Sequence, residues 1–304
     1  MINAFDREGF MILSSCDIAR DPLPEHVEAS LRASAVKMRA DCLRMANAAG
    51  NEGAHLGGAF SCIEILAALY LEVMNFNPKK LDDPSRDRFV FSKGHGVQAQ
   101  YAVFRQLGLV SEDELDTFKR SGSFLTGHPS MNPERGIEYS SGSLGQGLSL
   151  GVGSCLAMRQ LGNDRSRVFV LLGDGECDEG QVWEAAMSAC HYRLDNLVAI
   201  IDRNWLQYDG KTEDVVSLGS LGDKWRAFGW AVLEVDGHNF SELVPALNHR
   251  ADGEPLAIIA NTVKGKGISF TENVVSWHHS RLTPALYEQA EIELEEVARL
   301  IKEG

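Results

Sequence analysis

Long apolar runs are absent from this chain. No stretch of its 304 residues approaches the roughly 18 uninterrupted apolar residues that a bilayer span requires, so a membrane-spanning protein is not expected. The first fifteen residues carry Asp6, Arg7 and Glu8 before any apolar run develops, which is not a secretory signal. Cysteine is sparse. The six occur at 16, 42, 62, 155, 177 and 190, with no Cys-x-x-Cys pair and no histidine spacing that suggests zinc, so reduced thiols of a cytoplasmic protein are expected. Cys177 is read as a small apolar residue in a tight loop. Positive charge is short as well: 29 basic residues against 43 acidic ones leave a formal charge of −14, and no basic stretch is long enough to track a phosphate backbone. Nucleic acid is therefore not an expected partner. Internal repeats and low-complexity segments are lacking too.

The remaining composition, 44% hydrophobic and 24% charged, suits one large α/β domain with a substantial core. Two short apolar runs, Val168-Phe169-Val170-Leu171-Leu172 and Leu197-Val198-Ala199-Ile200-Ile201, have the look of buried parallel strands. Between them Val182, Ala186, Ala189 and Cys190 share one helical face, which makes a strand, helix, strand unit. A right-handed crossover then places both strands side by side and pointing the same way. Gly173-Asp174-Gly175-Glu176-Cys177-Asp178-Glu179-Gly180 follows the first strand, and Asn204, thirty positions after Asp174, follows the second. Both sites emerge at carboxyl strand ends, where open α/β sheets bind ligands. A carboxylate, an amide and a nearby main-chain carbonyl are the hard oxygen donors that Mg²⁺ prefers. A lone Gly-Asp-Gly is an ordinary turn; the asparagine at the end of the next strand gives it weight.

Elsewhere, Asp21-Pro22-Leu23-Pro24 interrupts helix formation, so residues 1–24 are read as an arm available to a partner and 25–304 as the domain. Helices are expected over Glu25–Ala49 and Ser61–Met74, a strand over Arg88–Ser92, and a Ser111-capped helix reaching toward Gly122. The loop from Ser121 to Ser141 is long for a compact domain and therefore a candidate for function. Glycines 145, 147, 151 and 153 sit in a stretch expected to be helical, each costing about 1 kcal/mol against alanine. Close approach by another backbone or a ligand would justify them. Strands are expected over Trp230–Val235 and Leu256–Ala260 around a Ser241-capped helix, and Thr283-Pro284 opens a final acidic helix to Lys302.

With these motifs together the chain resembles the thiamine-diphosphate enzymes, and within them the transketolase family. Ala54-His55-Leu56-Gly57-Gly58 is similar to the family's Gly-His-Pro-Gly segment, with Leu56 in place of proline. Ser92-Lys93-Gly94-His95-Gly96 and Thr126-Gly127-His128-Pro129 match two further histidine motifs. Ser141-Gly142-Ser143-Leu144-Gly145-Gln146-Gly147 resembles a cofactor-contacting loop, and Trp277-His278 the last active-site histidine. His279 stands where glycine is common, leaving open which of the pair faces substrate. The resemblance spans nearly the whole chain from about residue 25.

The resemblance implies an α/β thiamine diphosphate-binding fold, with a mostly parallel central sheet and helices on both faces. It implies thiamine diphosphate and Mg²⁺ as cofactors, with Asp174, Asn204 and the Leu206 carbonyl on the metal. His95, Gly142, Leu144, Asp174, Gly175, Glu179, Asn204 and His278 would contact the cofactor. His55, His95, His128 and His278 would serve catalysis, since imidazole exchanges protons near neutral pH. His191, His238 and His249 match nothing and are read as packed or surface side chains. The implied activity transfers a two-carbon ketol unit from a ketose phosphate to an aldose phosphate. The net negative charge opposes such anions at long range, so positive charge must lie at the site or on a partner. The family's activating glutamate falls in a following domain that has no counterpart here. A carboxyl-terminal transketolase subunit is therefore the expected partner, in a dimer of heterodimers. Other readings are a specialised sugar such as apulose phosphate or sulfofructose, the α chain of a 2-oxoacid dehydrogenase, a deoxyxylulose-phosphate synthase relative, and a binding-only scaffold.

Overall fold

A computed structural model describes residues 23–303. Among the described residues there are seven strands: β1 (Arg88–Phe91), β2 (Val168–Gly173), β3 (Leu197–Arg203), β4 (Leu206–Gln207), β5 (Gly210–Lys211), β6 (Ala231–Asp236) and β7 (Leu256–Asn261). Five form one all-parallel sheet in the order β1-β2-β3-β7-β6, while β4 and β5 make a small antiparallel hairpin. The helices are α1 (Glu25–Ala49), α2 (Leu56–Phe60), α3 (Ile63–Ala68), α4 (Gln98–Gln106), α5 (Glu112–Leu115), α6 (Gly147–Gln160), α7 (Gly180–His191), α8 (Thr212–Val215), α9 (Leu221–Ala227), α10 (Phe240–Asn248) and α11 (Pro284–Glu303).

Strand periodicity divides the core in two. Phe89, Phe91, Phe169, Leu171, Val198, Ile200 and Ile258 join one apolar cluster with α1, α3, α4 and α10. Their neighbours Val90, Val168, Val170, Leu197, Ala199, Ile201 and Ile259 join the other, against α6, α7 and α9. A sheet covered on both faces needs apolar residues at every position, which is why these strands read as continuous runs. Among the described residues, no helix is long and apolar enough to cross a membrane.

Several local expectations are corrected. The helix anticipated over Ser61–Met74 is present as α3 with a π-helical turn (Leu69–Val73) continuing it, and Ser61, whose hydroxyl donates to the Asp202 carboxylate at 2.6 Å, stands in the break between α2 and α3. The Ser111 capping box forms as expected, yet α5 lasts only four residues. Asp116 is drawn to Arg44 of α1 at 2.8 Å, and Lys119 takes a left-handed φ of 62°. Asn239, not Ser241, caps α10; the Ser241 hydroxyl donates to Glu28 on α1. Of the arm, residues 1–22 lie outside the described part, and Leu23 packs on the core beside α1.

The glycine-rich stretch is explained position by position. Gly145 stands in a turn before α6, with φ +83°. A Cβ on Gly147 would lie 2.3 Å from Ser92, and one on Gly151 2.6 Å from Val170, so here the helix touches the strand ends. Gly153 meets nothing within 4 Å and is exposed, contrary to the expected close approach. Gly153→Ala should therefore stabilise the fold by about 0.5–1 kcal/mol. Gly151→Ala should destabilise it by about 1–3 kcal/mol through overpacking. Urea unfolding of both variants checks the pair, and equal effects would contradict this packing.

Candidate active site

Asp174 is one residue beyond Gly173 and Asn204 two beyond its paired Asp202, so both leave the sheet on the same edge of neighbouring strands. The Asp174 carboxylate accepts from the amides of Gly175 at 2.9 Å and Trp205 at 2.6 Å. Trp205 adopts φ +65°, a left-handed conformation unusual for a bulky residue, and Leu206 follows it at the cleft wall. The Asn204 amide group donates to Asp202 at 3.1 Å, while its oxygen accepts from the Leu206 amide at 3.2 Å. A cleft of about 310 Å³ collects Asp174, Gly175, Asn204, Leu206, Leu144, Glu179, His95 and His278. Gly142 lies apart from its lining, against the His128 ring.

Four side chains that the motifs did not assign build the walls. Lys93 and Asp202 are wholly buried and form an ion pair. Ser61, Thr262 and Asn204 also hydrogen-bond to that carboxylate. Burial opposes charging in both partners, but each holds the other ionised: Lys93 is raised and Asp202 lowered. Glu176, also buried, accepts from Ser92 and from the amides of Gly145 (2.8 Å) and Gly173 (3.0 Å), tying the glycine loop to the end of β2. Lys264, just beyond β7, points its ammonium at the Leu206 carbonyl (2.7 Å) and at Nδ1 of His278 (3.1 Å). Burial, then repulsion from Lys93, pushes Lys264 down to about 8. Burial, then the Asp202 charge, pushes Asp174 up to about 6. A charged residue at a strand end carries no periodic signal, so the sequence gives little warning of these roles.

The four anticipated histidines converge. His55 lies 5.6 Å from both His95 and His128 and 5.7 Å from His278, ring centre to ring centre. His95 and His278 stack at 4.8 Å. A bridge between Ala54 and Ser280 adds His279, 4.5 Å from His55. His278 therefore faces the cleft and Tyr208, while His279 stands at the outer side of His55. Burial is the main reason that His55 and His278 fall to about 3, with neighbouring imidazoles adding to it for His55 and Lys264 for His278. His95 is also driven well down, and His128 and His279 are lowered. His191 and His249 lie outside this group.

The donor set fits a hard cation bound to a diphosphate. One carboxylate, one amide oxygen and one carbonyl face a single cleft, and the carbonyl retains a lone pair beside its Lys264 contact. The Gln207 side-chain oxygen is buried without a partner beside Gly175, as expected of a polar wall awaiting a ligand. Among the described residues no three His, Cys, Asp or Glu side chains gather around a metal position, so a cation here depends on the amide and carbonyl oxygens. A larger cavity of about 710 Å³ opens near the amino ends of β1 and β2. It offers no comparable chemistry: of its two carboxylates, Glu138 and Asp164, the first is already paired with Arg86 and Arg88, and its lining has no histidine.

Residues 32–294 match the family model for transketolase, thiamine diphosphate binding domain. The chain belongs to the transketolase family. Its cofactor is thiamine diphosphate, used in the family with a divalent metal. It is 44% identical over 253 residues to an apulose-4-phosphate transketolase subunit of Phocaeicola vulgatus, covering 82% of this chain and 89% of that one. It is 46% identical over 243 residues to the 6-deoxy-6-sulfo-D-fructose transketolase subunit SqwG of a Clostridium species, covering 79% and 88%. The crystal structure of Campylobacter jejuni transketolase superposes with a TM-score of 0.80 at 28% identity, over 90% of this chain and 43% of that one. The chain thus spans less than half the length of the solved transketolases it matches.

Stability should depend on pH through the neutral histidines. An unfolded imidazole protonates near 6.5, whereas native His55 and His278 resist until about 3. Between those values the unfolded chain binds more protons, so stability falls as the pH drops from about 6.5. Asp174 and Asp41 act oppositely between about 3.8 and 6, and Glu176 and Asp178 are raised as well, but the lowered imidazoles, His55, His95, His128, His249, His278 and His279, outnumber them. The urea midpoint should therefore fall from pH 7 to pH 5, less steeply in His55→Asn; a midpoint that rises would contradict the assignment.

Proposed function

We propose that this chain is the amino-terminal subunit of a two-subunit transketolase, transferring a two-carbon ketol unit from a ketose phosphate to an aldose phosphate. The observation that carries it is the meeting of Asp174, Asn204 and the Leu206 carbonyl in one cleft beside a row of uncharged histidines. Asp174, the Asn204 amide oxygen and the Leu206 carbonyl would hold Mg²⁺ and through it the diphosphate. Gly175 leaves the main chain open to phosphate oxygens, and His95, Leu144, Glu179 and His278 would hold the rest of the cofactor, Gly142 reaching it only from beyond the cleft lining. When bound, thiamine diphosphate supplies the electron sink for carbon–carbon cleavage. His55, His95, His128 and His278 then exchange protons with sugar oxygens, neutral imidazole being able to donate at one nitrogen and accept at the other.

The partner is inferred from two facts. Relatives of this length are named as subunits, and single-chain transketolases are more than twice as long. Exposed Leu144, Tyr208, Val215 and Val216 ring the cleft mouth, an apolar rim suited to cover by a second chain. That chain would bring the activating glutamate, and two such pairs would form a cytoplasmic dimer of heterodimers. A specialised donor is a second reading, favoured by the 44–46% identity to subunits named for apulose 4-phosphate and sulfofructose.

Asp174→Ala should weaken Mg²⁺-dependent thiamine diphosphate binding by at least about 100-fold, since removing an outer-shell partner alone costs about 10–100-fold. Titration calorimetry measures it, and undiminished affinity would remove the metal assignment. With the partner chain added, cleavage of ketose phosphates is expected; decarboxylation of pyruvate in its place would favour the 2-oxoacid dehydrogenase reading.

A further inference from the structure

His238 matches none of the histidine motifs, yet it stands in a buried network with Arg39 and Glu64. Its Nδ1 lies 2.9 Å from the Glu64 carboxylate, and its Nε2 accepts from the Val263 amide at 2.9 Å. An acceptor Nε2 fixes the tautomer: the ring is neutral and carries its proton on Nδ1, facing Glu64. Glu64 also pairs with the Arg39 guanidinium at 2.7 Å. Burial alone would raise this carboxyl, but Arg39 and His238 hold it down at about 2. Arg39 then donates through Nε to the Lys266 carbonyl at 2.8 Å. A Cβ on Gly267 would fall 2.5 Å from that nitrogen, so the guanidinium is fitted closely against the turn.

Three elements thus converge on one short segment. Arg39 comes from α1, Glu64 from α3 and His238 from the loop after β6. They fasten the first amide and the last carbonyl of Val263–Lys266, a turn with two long side chains: Lys266 pairs with Glu272 at 3.4 Å, and Lys264 reaches into the cofactor cleft. We propose that His238, fixed by Glu64 and Arg39, is a positioning residue: it sets the Val263–Lys266 turn so that the Lys264 ammonium lies between the Leu206 carbonyl and His278. The network touches neither Asp174 nor Asn204 and acts through Lys264 alone. Its value to cofactor binding rests on the reading above, whereas its hold on the turn does not.

The two ring nitrogens can be tested separately. Glutamine places an oxygen near the position of Nε2 and keeps an acceptor for Val263, while asparagine places its amide near Nδ1 and keeps only the contact to Glu64. In the full chain without ligand, His238→Asn should speed hydrogen exchange at the Val263 amide by about tenfold or more, and His238→Gln should restore protection. With Mg²⁺ present, His238→Asn should weaken thiamine diphosphate binding about tenfold in calorimetry. In a Lys264→Met background the same change should cost less than about twofold, as expected when one residue acts through the other. Equal behaviour of the asparagine and glutamine variants, or undiminished losses in the Lys264→Met background, would overturn the proposal. If the unaltered chain bound no cofactor, the functional reading would fall, and the exchange experiment would still decide whether His238 holds the turn.

Discussion

The ion pair between Lys93 and Asp202 is the contact around which the cleft is organised. Lys93 follows β1, Asp202 closes β3, and the same carboxylate takes hydrogen bonds from Ser61 between α2 and α3, from Thr262 after β7 and from Asn204. Two buried charges are expensive to desolvate, so the pair is poor evidence for net stability. Its contribution is geometric. With both oxygens of Asp202 committed, the Asn204 amide has its NH₂ directed inward to the pair, and its oxygen is left toward the Leu206 side. An apolar replacement of equal volume would fill the space and leave the asparagine free to turn.

Glu176, close beside Lys93, performs a parallel task. Its carboxylate gathers the Ser92 hydroxyl and the Gly145 and Gly173 amides, while Ser92 accepts from Gly147. The glycine loop is consequently fixed to the strand ends by hydrogen bonds that require close backbone approach, which the missing side chain at Gly147 permits. Rigid strands supply the positions, and buried polar residues at their ends aim the loops. Sites built this way retain their geometry because every member of the network is satisfied.

The fold was legible where one physical demand dominates. Strands covered on both faces must be apolar throughout, so β2, β3 and β7 were visible as runs, and the Gly-Asp-Gly and Asn204 positions followed from their ends. Local rules were overruled where a side chain had a distant obligation. Asp116 serves Arg44 and shortens a helix; Ser241 serves Glu28 and yields the cap to Asn239. Lys93, Glu176, Asp202 and Lys264 were hidden for a related reason. A single charged residue after an apolar run has the appearance of an ordinary solvated strand end, and only the three-dimensional pairing reveals that it is buried.

Acid–base work constrains how this cleft must be completed. An imidazole that protonates only near 3, as His55 and His278 do here, is a weak base at neutral pH, and proton transfer is most effective when the pKa lies near the working pH. Burial and mutual crowding produce the depression, and negative charge placed against the rings would oppose it. Among the described residues the cations nearest this row, Lys93, Lys119 and Lys264, all push in the depressing direction. On the function proposed above, compensating anions would come from beyond the described residues, a diphosphate at the His95 and His278 end and carboxylates or substrate phosphate at the His55 and His128 end. The bases of such a site would be poised only once those charges enter, which would tie proton transfer to the binding of cofactor and substrate.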